Sequence, residues 1–202
     1  MKKLVLVVTL ALSFSLVFAQ HDEEKEKSAF KENLFTGGSV SLAFYNNTFL
    51  IGGNPVFGYS LTNWADAGIV VNYNYTSYRD VTVLNDRLRQ RDYGGGIFAK
   101  LYPVRFLFVQ AQVEHNYIRQ KYLPPSGSVP SITKLDANSF LVGGGYTTGR
   151  NGKGGAPFYY LSLLFDVSGD TNSPYTDGLG RSIPIIRAGL QIPLFQGKGK
   201  GN

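Results

Sequence analysis

From residue 106 to residue 117 the chain reads F-L-F-V-Q-A-Q-V-E-H-N-Y, and every second position belongs to one of two rows. Leu107, Val109, Ala111 and Val113 form an apolar row; Gln110, Gln112, Glu114 and Asn116 form a polar one. Side chains alternate across a strand, so the two rows lie on opposite faces of one ribbon. In a soluble sheet the apolar row would face the core. In a membrane barrel it faces lipid, and the polar row fills the lumen.

The same alternation recurs between turn signals from Leu34 to Phe195, and it predicts eight strands. They cover Leu34–Tyr45, Asn54–Leu61, Ala67–Tyr78, Arg91–Tyr102, Arg105–Arg119, Ala137–Thr147, Pro157–Val167 and Ser182–Phe195. No helical period is sustained after the first 19 residues. The apolar row includes Val40, Leu42 and Phe44, then Ile69, Val71 and Tyr73, then Leu161, Leu163 and Phe165, and finally Ile186, Ala188 and Leu190. Facing it are Ser39, Ser41, Asn72, Asn74, Gly94, Gly96, Ser162, Asp166, Arg187 and Gln191. Small and polar residues of this kind suit a narrow interior better than an open solvent face.

Link lengths point the same way. Thr62–Asp66, Pro103–Val104 and Thr148–Ala156 are the links at one end. At the other end, Arg79–Gln90, Gln120–Asp136 and Ser168–Arg181 are long, and only Asn46–Gly53 is short. Short turns on one side and long loops on the other characterise barrels of the bacterial outer membrane. Tyr78, Tyr93, Tyr117, Tyr122 and Tyr175 gather near the long-loop end, and Trp64, Tyr102, Phe158 and Phe195 near the other, as two interfacial girdles would.

The segment N-P-V-F-G-Y-S-L-T-N-W-A-D-A-G-I-V-V-N-Y-N-Y (Asn54–Tyr75) resembles the small outer-membrane β-barrel proteins of Bacteroidota-type bacteria. The Gly37-Gly38 pair and the last strand R-A-G-L-Q-I-P-L-F (Arg187–Phe195) fit the same family. The resemblance implies an all-β fold, an eight-stranded antiparallel up-and-down transmembrane β-barrel in the outer membrane of a Gram-negative cell. It also implies that Phe195 is the terminal aromatic read by the barrel-insertion machinery. Residues 196–202 follow as a Gly/Lys tail where such barrels often end on the aromatic itself.

The rest of the composition narrows this picture. There is no cysteine among 202 residues, which excludes disulfides, thiolate metal sites and a lipoprotein anchor. Lys2 and Lys3, an apolar run from Leu4 to Phe18 and Val17-Phe18-Ala19 read as a signal peptide over residues 1–19. Its removal takes Lys2 and Lys3 from the 20 basic residues; the remaining 18 face 14 acids, a net of +4. Residues 20–33, with the mixed-charge run His21–Lys27, read as a periplasmic tail, leaving 34–195 for the barrel.

Candidate chemistry is sparse. Gly149–Gly155 lacks the Ser or Thr and the spacing of a phosphate loop, and Gly94–Gly96 and Gly143–Gly145 fall within strands. His21 and His115 are the two histidines, and no metal-ligand spacing exists, so no cofactor is expected. A lipid-modifying hydrolase would have to centre on His115 at the outer rim, with a serine and an acid that no motif supplies. A soluble secreted barrel holding an apolar ligand is the other alternative. Arg79, Arg87, Arg89, Arg91, Arg119 and Lys121 gather on or beside two long loops. They are the candidate contacts for lipopolysaccharide phosphates, since arginine binds phosphate bidentately. Inside, Glu114, Asp166 and Arg187 share the polar row at similar depth and predict an ion cluster, with Asp166 beside Arg187. The expected partners are outer-membrane lipid, lipopolysaccharide and the insertion machinery, for a monomer without nucleic acid. Eight strands leave no room for a wide pore.

Overall fold

The computed structural model describes residues 30–45, 48–125, 129–177 and 180–195. The expected signal peptide, the charged run 21–27 and the Gly/Lys tail 196–202 lie outside the described residues. The chain divides into units 1–31 and 32–202, and the barrel belongs to the second.

Eight strands close into a ring in chain order. They are β1 (Leu34–Tyr45), β2 (Thr48–Thr62), β3 (Ala65–Arg79), β4 (Arg87–Val104), β5 (Leu107–Leu123), β6 (Ser131–Thr147), β7 (Phe158–Asp166) and β8 (Ile185–Pro193). Every neighbouring pair is antiparallel, and β8 returns to β1, Phe35 opposite Pro193 and Leu42 opposite Ile186. Closure leaves no edge strand in the ring, so within the paired ladders the amides bond from strand to strand without water.

The facing is decided by exposure. Val71 and Val109 on the apolar row are 57% and 52% exposed, whereas Asn74 and Asn116 on the polar row are wholly buried. The apolar row therefore forms the outer surface. A soluble barrel around an apolar ligand would face the other way. On β5 the pattern alternates without a break from Leu107 to Arg119, exposed then buried.

Five strand limits differ by three residues or more from the sequence expectation. β2 starts at Thr48, not Asn54: Pro55 lacks a ladder amide, but β2 pairs with β3 on both sides of it, Gly53 with Tyr73 and Val56 with Val70. β4 starts at Arg87, β5 runs on to Leu123, and β6 begins at Ser131. Most of their outward residues there are charged, Arg87, Arg89, Lys121, Lys134 and Asp136 among them, so the apolar alternation fades while the hydrogen-bond ladder continues. The loops shrink accordingly to residues 80–86 and 124–130. β8 begins only at Ile185, because Pro184 cannot donate and the residues before it belong to a loop that turns inward.

The girdles also need correction. Tyr102 and Phe158 point into the barrel, since their positions have the inward parity, and Tyr175 is buried because its loop turns inward. Trp64, Phe106, Tyr146 and Tyr159 face outward at the short-turn end, and Tyr93 stacks on Tyr117 at 5.7 Å on the outer face toward the other end.

Candidate functional site

The interior is filled with side chains in three storeys. In the middle, Arg187 of β8 donates from Nη2 to Glu114 Oε1 of β5 at 3.2 Å, both side chains being buried. Arg187 Nε also donates to Ser41 Oγ at 3.1 Å. Glu114 takes further hydrogen bonds from Gln112, from Asn116 at 3.2 Å and from the Tyr175 hydroxyl at 2.8 Å. A buried ion pair persists only where extra hydrogen bonds satisfy its remaining atoms, and this one is so provided.

Asp166 does not join it. Phe158 stands opposite Gln191, so the register puts Arg187 opposite Ser162 and carries Asp166 further up the barrel. There its carboxylate accepts from the amides of Phe140 at 3.0 Å and Ser168 at 2.9 Å and from the Ser173 hydroxyl. Counting from strand ends had placed the two side by side, but β8 and β7 do not start level.

Ser173 and Tyr175 belong to the loop 167–184, which enters the barrel mouth. Tyr175 is wholly buried and accepts from Asn74 Nδ2 at 3.2 Å. Around it Ala43, Leu50, Leu141, Leu164, Ile183 and Ile185 form an apolar cluster inside the lumen. The sequence expectation of an interior of small and polar residues is thus corrected: the loop sets Tyr175 and Ile183 on inward apolar residues of β1, β2, β6, β7 and β8.

At the short-turn end, Arg150 closes the barrel. Its Nη2 lies 2.6 Å from Asp66 Oδ1, and the same nitrogen donates to the carbonyl of Thr62 at 2.9 Å. Gln191 donates to the other oxygen of Asp66 at 3.0 Å. The Arg150 guanidinium covers the Tyr102 ring at 4.5 Å, and Lys100 sits 3.9 Å over Tyr160. The glycine-rich turn that carries Arg150 has a structural role, which no motif signals because Asp66 is 84 residues away.

On the outside, the basic residues stand on paired strands and not on loops. Arg91 is opposite Arg119, which is opposite Lys134; Arg89 is opposite Lys121, and Arg79 opposite Arg87. All seven are exposed, and none makes a salt bridge with a described residue. Lys134 was missed because its stretch read as loop. Directly opposed like charges destabilise a sheet, so this ladder is held against its own repulsion.

Above the ladder the loop 80–86 is braced. Asp80 and Asn85 take positive φ, and the Asp86 carboxylate accepts from the amides of Val81, Thr82 and Val83 at 2.6, 2.8 and 3.0 Å. The Tyr122 hydroxyl adds a bond at 3.0 Å. Burial alone would push the Asp86 carboxyl up, but these donors outweigh it and hold the group below its usual value.

His115 is outward on β5. Its Nδ1 lies 2.9 Å from Asn138 Oδ1 and its ring meets Tyr117 edge-on. Gly95 and Asn138 are its cross-strand neighbours, so the adjacent strands place no serine opposite it. Phe195 follows β8 and is exposed, beside the Leu194 amide that donates to the Leu34 carbonyl at 2.9 Å.

No protein-family model matches the chain, and no curated protein does. Solved structures similar to it include Ail, the attachment invasion locus protein of Yersinia pestis, with 10% identity over 79% of this chain and 95% of that one (TM-score 0.46). Neisserial surface protein A has 10% identity over 83% and 98% (TM-score 0.42). The N-terminal β-barrel domain of Pseudomonas aeruginosa OprF has 14% identity over 79% and 96% (TM-score 0.39).

Proposed function

We propose that this chain is a non-enzymatic outer-membrane barrel with a surface or structural role, whose basic ladder on β3–β6 engages lipopolysaccharide phosphates at the outer rim. The ladder of opposed cations carries the reading. Seven exposed basic side chains in cross-strand contact repel one another unless an anion lies between them, and guanidinium pairs grip phosphate bidentately. The unbroken apolar surface below supports the membrane placement, because a lipid-facing belt flanked by aromatic girdles is what hydrocarbon and its interfaces select. The filled, doubly capped lumen supports a closed barrel instead of a channel. Phe195 serves as the insertion signal, and kinship with barrels of Bacteroidota-type bacteria rests on the Asn54–Tyr75 pattern, the Gly37-Gly38 pair and the last strand Arg187–Phe195.

The test uses the full chain folded in detergent, with lipopolysaccharide and the same lipopolysaccharide stripped of phosphate. Replacing Arg91, Arg119 and Lys134 together by Ala should weaken binding to the phosphorylated form about tenfold or more, or ~1.4 kcal/mol. The same variant should be no less stable without lipid, since relieving opposed charges is worth ~0.2–1 kcal/mol per pair. Equal affinity for both lipid forms, or unchanged binding by the variant, would overturn the reading.

A further inference from the structure

The loop 80–86 between β3 and β4 turns its apolar side chains outward. Leu84 is 77% exposed, and Val81 and Val83 are 49% and 48% exposed. Its carboxylates turn the other way, onto the loop's own backbone. Asp86 takes the amides of Val81, Thr82 and Val83, and Asp80 Oδ1 takes that of Asn85 at 2.7 Å. The amides of Asp80 and Asp86 go to the carbonyls of Asp86 and Val83, each at 3.2 Å. Water would meet these amides equally well. An apolar medium would not, so a loop that enters one has to satisfy its donors internally.

The adjoining loop adds to the same surface. Arg87, the first residue after loop 80–86, stands opposite Leu123, the last before loop 124–130, and the Tyr122 hydroxyl bonds Asp86 across the pair. That second loop presents Val129, which is 88% exposed. Directly below the tips, Arg79 is opposite Arg87 and Arg89 is opposite Lys121, all four side chains exposed. These cations outnumber Asp80 and Asp86, the carboxylates of the first loop. Arg87 lies four residues beyond Arg91 on β4, about 13 Å further along the strand. The tips and their basic collar therefore stand clear of the lowest rung, Arg91–Arg119–Lys134.

We infer that this end of the barrel docks on a second membrane, an apposed bilayer containing anionic phospholipid. Val81, Val83, Leu84 and Val129 enter its interface, and Arg79, Arg87, Arg89 and Lys121 meet its headgroups. Apolar area and attraction to anionic lipid are the two terms that hold a protein segment at a membrane surface, and both are present here side by side. Bracing by Asp86 fixes the first loop before contact, so little conformational entropy is left to lose on docking. A docking protein would find few amides of this loop free to bond, whereas lipid asks for none. The inference goes beyond lipopolysaccharide binding and needs only the outward orientation of this end.

The experiment places the full chain in phosphatidylcholine nanodiscs, so that its own apolar belt is covered, and mixes them with vesicles. Vesicles of phosphatidylcholine with phosphatidylserine should be bound about tenfold or more tighter than vesicles of phosphatidylcholine alone. Leu84→Asp should weaken binding to the mixed vesicles by about tenfold or more. Arg87→Gln combined with Arg89→Gln should narrow the difference between the two vesicle types. Leu84→Trp should keep binding and shift its emission to the blue when mixed vesicles are added; Trp64, the chain's own tryptophan, lies at the opposite end. The vesicles hold no lipopolysaccharide, so the outcome is separate from that of the lipopolysaccharide test. Wild-type protein that ignores the mixed vesicles, Leu84→Asp that binds them undiminished, or a Leu84→Trp emission that does not move overturns the inference.

Discussion

Arg187 meets Glu114 rather than Asp166 because each carboxylate takes the donors its own level provides. Glu114 lies where β8 brings a guanidinium, and Asp166 lies where the incoming loop brings amides and hydroxyls. Removing the charge on one side of the middle pair leaves the other buried and alone. Arg187→Ala is therefore expected to cost ~3–5 kcal/mol, and Glu114→Gln much less when Arg187 has already been replaced. A double-mutant cycle by equilibrium unfolding in detergent checks this, with strong coupling between Arg187 and Glu114. The Arg187–Asp166 cycle should show a clearly smaller coupling, and coupling as large as that with Glu114 would contradict the register.

At the scale of the strand, what an outward position tolerates depends on its depth. Along β5 the exposed row passes from Leu107, Val109, Ala111 and Val113 through His115 and Tyr117 to Arg119 and Lys121. In the proposed membrane the aromatic pair Tyr93–Tyr117 marks the change from hydrocarbon to headgroup, and the cationic ladder starts one outward position later. Arginine at Val109, inside the apolar stretch, should cost ~2–4 kcal/mol, while arginine at Tyr117 should cost only ~0–1. Folding free energies in bilayers measure both, and equal penalties would remove the proposed boundary. The same change of chemistry explains why β4, β5 and β6 outrun their apolar patterns: pairing needs backbone, not hydrophobic side chains.

For the whole molecule, the links divide unequally between the two ends. Residues 63–64, 105–106 and 148–157 lie at one, and 80–86, 124–130 and 167–184 at the other. The basic ladder belongs to the second end, which therefore faces outward in the proposed membrane. Since the chain has no cysteine, a single introduced thiol reports its side cleanly. Leu84→Cys, at an exposed loop position, should react with an impermeant maleimide on intact cells, and Asn151→Cys should react only after the outer membrane is broken. The reverse pattern would invert the barrel.

How far each feature could be read in advance follows from how local its cause is. The eight strands, and the two rows of each, follow from a period of two that any stretch of ten residues displays, so the sequence by itself set them. It also set the chemistry of both faces, because Ser41, Asn72, Glu114 and Arg187 on one row and Val40, Val71, Val113 and Ile186 on the other need no partner to be classified. Other features depended on which strands meet and how far they slide. Closure of the ring fixed the level of Arg187 against Ser162, turned the loop 167–184 inward until Tyr175 reached Glu114, and brought Arg150 onto Asp66. It lined up Arg91, Arg119 and Lys134 on three strands, and it set Asp92 opposite Asn74. Alternation says which face a side chain occupies but carries no information about register. The stagger between strands is a property of the closed barrel, so only the tertiary structure could decide which of the inward charges would be answered.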